Sequence, residues 1–169
     1  MLRKALKTDQ DDLLALHQAV AAIPGGVIRT LAEVTPAYIE DILRDSMDNG
    51  LILVQEEQGR VVASIHAYTP SIQVFRHLLS DLTIVVHPGW QGKGLGRQLF
   101  TEFLSRVQEG FPHILRIELF VRITNTPAIR FYESLGFRQE GAQRNKILNA
   151  QGQLETPVAM AWYNPNFIQ

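Results

Sequence analysis

The chain has 169 residues, of which 46% are hydrophobic and 20% are charged, a balance typical of a globular domain. Its formal net charge of −1 argues against general binding to nucleic acid or to anionic membranes, because both usually need a basic surface. The absence of cysteine excludes disulfides, a thiolate nucleophile and cysteine-containing zinc sites.

Neither a membrane span nor a targeting segment is predicted. No apolar run approaches the roughly 20 residues that cross a bilayer, and the N-terminus lacks the apolar region of a signal peptide. We therefore expect one domain over residues 1–169, located in the cytoplasm.

The first part of the chain predicts two helices and three strands. The second helix has the clearest boundaries, because Thr35 is a good N-cap, Pro36 suits the first helical position and Gly50 follows the last turn. His17 on the first helix is interpreted as a packed or surface side chain. The predicted elements are a strand at 2–6, a helix from a cap at Thr8 or Asp9 to before Pro24, a helix from Thr35 to Gly50, and strands at 51–56 and 60–68.

The stretch from Ile84 to Phe100 reads as the end of a buried strand, a glycine-punctuated turn and an amphipathic helix. The turn spans Gln91–Gly96, and its alternate glycines let a ligand lie against the backbone. The N–H groups at the start of the helix have no intrahelical partner, and the helix dipole favours an anion there. Because Lys93 and Arg97 add two cations, this stretch predicts a pyrophosphate cradle.

Two common nucleotide motifs are absent from this turn. No Gly-Lys-Ser or Gly-Lys-Thr of a P-loop occurs, and the G-x-G-x-x-G fingerprint fails because no glycine follows at the required offset. The turn instead resembles the acyl-CoA turn of the GCN5-related N-acetyltransferases (GNAT), Q/R-x-x-G-x-G/A, which Gln91, Gly94 and Gly96 satisfy. A glycine-rich turn without a ligand is the alternative interpretation.

A second motif lies downstream at residues 125–137, where the chain reads N-x-x-A-x-x-x-Y-x-x-x-G-F. Asn125 or Thr126 caps a predicted helix, Gly136 ends it, and Tyr132 lies on its apolar face. This block resembles the other signature of the same superfamily, and the two motifs in this order identify the chain as a GNAT member. The remaining predicted elements are strands at 81–86, 114–123, 137–140 and 158–163.

The resemblance implies an α/β (α+β) fold with a mixed, mostly antiparallel sheet of six or seven strands flanked by about four helices. The fourth and fifth strands of such a sheet splay apart, and the pantetheine arm of acetyl-CoA lies in the gap. Acetyl-CoA is thus the implied co-substrate, and no metal is implied. The implied cofactor-binding residues are Ile84, Val85, Val86, Gln91, Gly92, Lys93, Gly94, Leu95, Gly96, Arg97 and Asn125.

The implied activity is transfer of the acetyl group from acetyl-CoA to a primary amine of a small molecule or peptide, by direct attack in a ternary complex. Tyr132 is the predicted general acid for the departing thiolate. Asp81 is the predicted base, because it lies on the strand that leads to the thioester. Glu118, His66, His87 and ordered water remain alternatives for that role.

The acceptor is less well specified than the co-substrate. Phe120 occupies the place of the family's acid on the fifth strand, so Glu118 aligns poorly and action on protein N-termini is less supported. The segment Pro24–Val34 is expected to form part of the acceptor wall or to be a plain connector. The expected partner is an amine acceptor, with no nucleic acid or membrane and with a homodimer left open. An acyl-CoA-binding sensor domain without turnover is the alternative function.

Overall fold

The computed structural model describes residues 1–169 and contains four α-helices and nine β-strands. The helices are α1 (Gln10–Ala21), α2 (Pro36–Asn49), α3 (Leu95–Gly110) and α4 (Thr126–Ser134). The strands are β1 (Leu2–Lys4), β2 (Gly50–Glu57), β3 (Arg60–Tyr68), β4 (Leu78–Val86), β5 (Arg116–Arg122), β6 (Arg138–Ala142), β7 (Ile147–Leu148), β8 (Leu154–Glu155) and β9 (Pro157–Tyr163).

Seven of the strands form one sheet in the order β1-β2-β3-β4-β5-β9-β6, and β7 pairs with β8 in a separate hairpin. All neighbouring pairs in the large sheet are antiparallel except β4 and β5, which are parallel. The predicted fold, a mixed and mostly antiparallel sheet flanked by four helices, is therefore confirmed. None of the helices combines the length and the apolar character that crossing a bilayer requires.

The parallel strands β4 and β5 separate soon after they meet. They pair only at Leu78 with Arg116 and at Leu79 with Ile117, although both strands continue beyond these pairs. Asp81 has a φ of +53°, and the register of β4 against β3 shifts beside it. Because a bulge bends a strand and increases its twist, the irregularity at Asp81 accounts for the gap between β4 and β5.

Two apolar cores cover the two faces of the sheet. The core beneath α3 contains Phe100, whereas the core beneath α1 and α2 contains Ile39. Successive side chains of a strand point to opposite faces. Val85 accordingly belongs to the second core, while Ile84 and Val86 pack against the first. Helices on both faces thus hold β4 in place and leave its β5-side edge open.

Most predicted strands are found close to their expected positions, with two corrections. The prediction that β4 begins at Asp81 is wrong, because Asp81 is the bulge residue inside a strand that starts at Leu78. The predicted start of β5 at Ile114 is also too early. Ile114 is fully buried, but the strand begins at Arg116.

The starts of the first two helices are stabilised in different ways. Thr35 caps α2 as predicted, since its Oγ1 accepts the N–H of Tyr38 at 3.2 Å. Asp9 occupies the N-cap position of α1, but its carboxylate makes no bond to that helix. It accepts the N–H of Leu6 at 2.7 Å and forms an ion pair with Arg3 instead. This ion pair fastens the start of α1 to β1.

Candidate active site

The turn between β4 and α3 carries a row of unpaired N–H groups. Gly94 is the N-cap of α3 with a φ of +80°, and Gly92 has a φ of +74°, values that favour glycine. The helix begins at the half-buried Leu95, and its first hydrogen bond runs from Gln98 N to Gly94 O at 3.1 Å. The N–H groups of residues 92–97 therefore have no acceptor within the protein. Such a row suits an anion of the pyrophosphate type.

The side chains of this turn hold it against β4. Gln91 Nε2 donates a hydrogen bond to the carbonyl oxygen of Val86 at 3.0 Å. A Cβ atom at Gly96 would lie 3.6 Å from Val86 Cγ2, so α3 starts in contact with the strand. Lys93 and Arg97 are exposed on the same turn. The backbone donors and the two cations therefore lie at the end of β4.

The end of β4 has one paired and one unpaired edge. Ile84, Val85 and Val86 are in antiparallel register with β3. On the other side β5 has already separated from β4, so the backbone groups on that edge have no strand partner. An extended ligand arm can add to a sheet along such an edge by main-chain hydrogen bonds.

Asn125 lies at the start of α4, on the far side of the gap. Its Oδ1 accepts the N–H of Ala128 at 3.3 Å and so caps the helix, as the sequence predicted. Its side-chain Nδ2 makes no hydrogen bond within the protein. The capping bond fixes the orientation of the side chain and leaves two amide protons for a ligand.

Tyr132 lines a small cavity of about 140 Å³ between β4, β5 and α4. Its ring centre is 5.8 Å from that of Phe100, and burial raises the pKa of its phenol. The hydroxyl is therefore protonated at neutral pH. Thr83, Ile84 and Asn125 line the same cavity, so the predicted acid lies beside the open edge of β4.

A larger cavity of about 420 Å³ adjoins the small one. Leu82, Thr83 and Phe120 line both cavities, which therefore meet at the gap between β4 and β5. The loop between α1 and α2 contributes Val27 and Ile28 to both walls. A small molecule in the larger cavity can thus approach a thioester held in the smaller one.

The residues that were considered as bases occupy different environments. Asp81 is exposed, lines the larger cavity and forms no ion pair. Glu118 lines the same cavity but is paired with Arg116 at 2.9 Å. His87 lines neither cavity, and its Nδ1 accepts the N–H of Gly89 at 3.2 Å. Of these candidates, Asp81 is therefore the carboxylate that lines the cavity without an ion-pair partner.

Two buried histidines form the inner wall of the larger cavity. Burial lowers the pKa of His66 to about 3 and that of His17 to about 4, so both rings are neutral at physiological pH. His17 Nε2 lies 3.3 Å from Ser64 Oγ, and His17 is packed as predicted, whereas His66 Nδ1 has no hydrogen-bond partner. His66 is only 2% exposed and its Nδ1 is buried, so it is poorly placed to take a proton from a substrate amine.

Three residues of the larger cavity were not predicted from the sequence as site residues: Arg29, Tyr38 and Tyr68. The guanidinium carbon of Arg29 lies 4.1 Å from the centre of the Tyr38 ring. Burial, and to a lesser extent the charge of Asp81, raises the pKa of Tyr68. Arg29 falls in the segment Pro24–Val34, which was expected from the sequence to form part of the acceptor wall. Nothing local in the sequence marks Tyr38 or Tyr68 as a site residue.

A family model matches the central part of the chain. Residues 48–139, slightly more than half of the sequence, match the model described as an acetyltransferase (GNAT) domain. The fold is similar to that of a GNAT superfamily phosphinothricin acetyltransferase from Sinorhizobium meliloti, solved in complex with AcCoA. The TM-score is 0.79 at 18% identity, and the match covers 99% of this chain and 89% of that chain.

Two curated relatives are similar over part of the sequence. The ribosomal protein bS18-alanine N-acetyltransferase of Salmonella typhimurium is 37% identical over 78 residues, which are 46% of this chain and 51% of that protein. The L-amino acid N-acyltransferase MnaT of Escherichia coli is 33% identical over 88 residues, which are 51% of this chain and 49% of that protein. Each of these two matches therefore spans about half the length of the relative.

Proposed function

The chain belongs to the GNAT family of acetyltransferases, and on that premise we propose that it transfers the acetyl group of acetyl-CoA to a primary amine. The acceptor is a small molecule or a peptide, and the amine attacks directly in a ternary complex. The proposal treats residues 1–169 as one catalytic domain. A cytoplasmic location and a homodimer remain predictions from the sequence.

One observation carries this proposal. The unpaired N–H groups of residues 92–97 lie at the end of β4, and the open edge of the same strand leads from them to Tyr132. An anion site, an extended groove and a proton donor in this order fit the pyrophosphate, the pantetheine arm and the thioester of acetyl-CoA. The structure thus offers donors for the charged end and a strand edge for the arm.

The residues proposed to bind acetyl-CoA fall into three groups. The backbone of residues 92–97 holds the pyrophosphate, with Lys93 and Arg97 adding charge attraction, while Gln91 fixes the turn against β4. The main chain of residues 84–86 bonds the pantetheine arm, and Asn125 reaches the arm from α4.

The chemistry asks the protein mainly to position the reactants. Acetyl-CoA supplies an activated thioester. Attack by the amine forms a C–N bond as the C–S bond breaks. Of the two protons that the substrate ammonium loses, one ends on the CoA sulfur and one leaves to solvent. Asp81 receives one proton from the ammonium before the amine attacks, and Tyr132 protonates the sulfur and regains a proton from the nitrogen that has attacked. Asp81 lies at the rim, where solvent can take the proton onward.

The names of two matched relatives indicate which kind of amine the acceptor carries. By their names, one matched protein acts on an alanine of a ribosomal protein and another on L-amino acids. Both acceptors present an α-amine. The cavity of about 420 Å³ beside the gap is large enough for a small amine or for the first residue of a peptide.

Release of CoA thiol from acetyl-CoA, with and without a panel of primary amines, tests the proposal. Amine-dependent release with an N-acetylated product in the mass spectrum is the expected result. Calorimetric binding of acetyl-CoA without release for any amine would favour the alternative, an acyl-CoA-binding sensor domain. Absence of both binding and release would contradict both functions.

A further inference from the structure

Two charged side chains of the larger cavity have no counter-ion. Arg29 and Asp81 both line it, and neither forms an ion pair; their side-chain neighbours are the uncharged phenols of Tyr38 and Tyr68. The other carboxylates of the lining are already engaged. Glu118 is paired with Arg116, and Glu33 accepts both the N–H and the hydroxyl of Thr30, at 2.8 and 2.7 Å. One free positive and one free negative charge remain for a ligand.

Both free charges act on the same tyrosine. Arg29 lies over the Tyr38 ring, a contact that holds the guanidinium at the cavity wall. Burial raises the pKa of Tyr38, the charge of Arg29 opposes that shift, and the charge of Asp81 adds to it. The Tyr38 hydroxyl is therefore within electrostatic reach of both groups. The two groups do not form an ion pair with each other, which leaves both charges available to one ligand.

The two charges also differ in their position relative to the gap between β4 and β5. Asp81 directly precedes Leu82, which lines both cavities where they meet. Arg29 lies on the loop between α1 and α2, and it lines the larger cavity but not the smaller one. The negative group thus lies next to the expected position of the thioester, and the positive group lies on a separate loop that borders only the larger cavity at this residue.

We propose that the acceptor is a free α-amino acid, whose ammonium group binds beside Asp81 and whose carboxylate binds Arg29. This inference rests on the proposed function and names its substrate class. An α-amino acid carries the two charges on groups attached to one carbon atom, whereas the N-terminus of a peptide lacks the carboxylate. Planar guanidinium groups match carboxylates in geometry and charge, which makes Arg29 the group that distinguishes the two.

The inner wall indicates which side chains fit. His17 and His66 are neutral, and Val34 and Ile42 are apolar, so a charged substrate side chain would be desolvated there without a counter-ion. Uncharged amino acids are therefore preferred over aspartate, glutamate and lysine.

The test compares each proteinogenic L-amino acid with its own α-amide as the acceptor. The ratio of kcat/KM for acid over amide is measured for the wild type, for Arg29→Gln, and for Arg60→Gln as a matched control. Arg60 is exposed at the start of β3 and lines neither cavity. Because the ratio is compared between variants, differences in the intrinsic reactivity of acids and amides cancel.

We expect Arg29→Gln to lower the acid-to-amide ratio by about 10- to 100-fold, the range that a hydrogen bond to a charged group contributes. Arg29→Lys should recover part of the loss, and Arg60→Gln should keep the wild-type ratio. An unchanged ratio in Arg29→Gln would overturn the amino-acid proposal alone. No thiol release with any acceptor would instead overturn the proposed function on which it rests.

Discussion

Arg97 Nη2 donates a hydrogen bond to Ser134 Oγ at 2.8 Å, and this bond joins the glycine turn to the helix that carries Tyr132. Ser134 in turn donates to the carbonyl oxygen of Phe131 at 2.6 Å, and the Arg97 guanidinium lies 5.2 Å from the Phe131 ring centre. The cation at the proposed pyrophosphate site is therefore held by α4. The two halves of the proposed acetyl-CoA site are connected even though 37 residues separate the bonded groups.

The first prediction tests the glycine turn. In Gly94→Asp a side chain with negative charge would stand among the N–H groups of residues 92–97, where the pyrophosphate is proposed to bind. Like charges brought together in a binding site cost several kcal/mol, so affinity for acetyl-CoA should fall by more than about 100-fold in calorimetry. Unchanged affinity for acetyl-CoA in the folded variant would contradict the proposal that residues 92–97 bind the pyrophosphate.

Gly59→Asp is the matched control for this substitution. Gly59 lies in the turn between β2 and β3 with a φ of +75°, close to the +80° of Gly94, and a Cβ atom meets no atom within 4 Å at either position. Both variants therefore carry a similar backbone strain of about 1–2 kcal/mol. Only Gly94→Asp should lose acetyl-CoA, while the melting temperatures of the two variants should be similar.

The second prediction concerns the two cations of the turn. Lys93 and Arg97 are exposed, so their attraction to phosphates should be screened by salt. Each exposed charge pair contributes about 0.2–1 kcal/mol. The Kd for acetyl-CoA should therefore rise by about 2- to 30-fold between low salt and about 0.5 M salt. The double variant Lys93→Gln/Arg97→Gln should show a flatter response. A flat response in the wild type would mean that the backbone donors suffice.

Sequence and structure agree best where the signal is local. The glycine turn, its helix and the capped start of α4 follow from residues within one short segment, and Asn125 caps α4 as predicted. The bulge at Asp81 could not be predicted, because it depends on how β4 pairs with β3 and leaves β5. Arg29 was missed for the same reason. Its role depends on how the loop between α1 and α2 folds over the larger cavity, and no local sequence pattern predicts such a long-range contact.

The third prediction follows from the two buried histidines. Burial is the main cause of the low pKa of His17, about 4, and of His66, about 3, and the charge of Arg29 lowers both further. In the unfolded chain each pKa returns to about 6.5. As the pH falls from about 6.5 to about 4, the unfolded state binds protons that the native state does not. Stability should thus be constant above pH 6.5 and should decrease below it.

The expected slope is about 1.4 kcal/mol per pH unit for each histidine. Urea unfolding at several pH values between about 4.5 and 7.5 measures it. His66→Gln should remove about half of the slope, whereas His113→Gln, at an exposed position, should leave it unchanged. A wild-type stability that stays level across this window would show that the two rings are not held neutral by burial.

The last prediction concerns the proposed acid. Tyr132 has a raised pKa through burial, its hydroxyl has no partner in the protein, and it lines the small cavity beside the open edge of β4. Tyr132→Phe keeps the ring contact with Phe100 and removes only the hydroxyl. Because general acid–base catalysis contributes about 10²- to 10⁴-fold, kcat should fall within that range while the Kd for acetyl-CoA barely changes.

Tyr163→Phe serves as the control for that variant. Tyr163 is exposed, its hydroxyl donates to Glu140 at 2.9 Å, and it lines neither cavity, so kcat should stay at the wild-type level. A loss in Tyr132→Phe that is confined to acetyl-CoA affinity would recast Tyr132 as a binding contact. Wild-type turnover in Tyr132→Phe, with single-turnover kinetics showing that chemistry is rate-limiting, would mean that water or the amine itself protonates the CoA sulfur. Tyr132 would then be a packing residue of the cluster around Phe100.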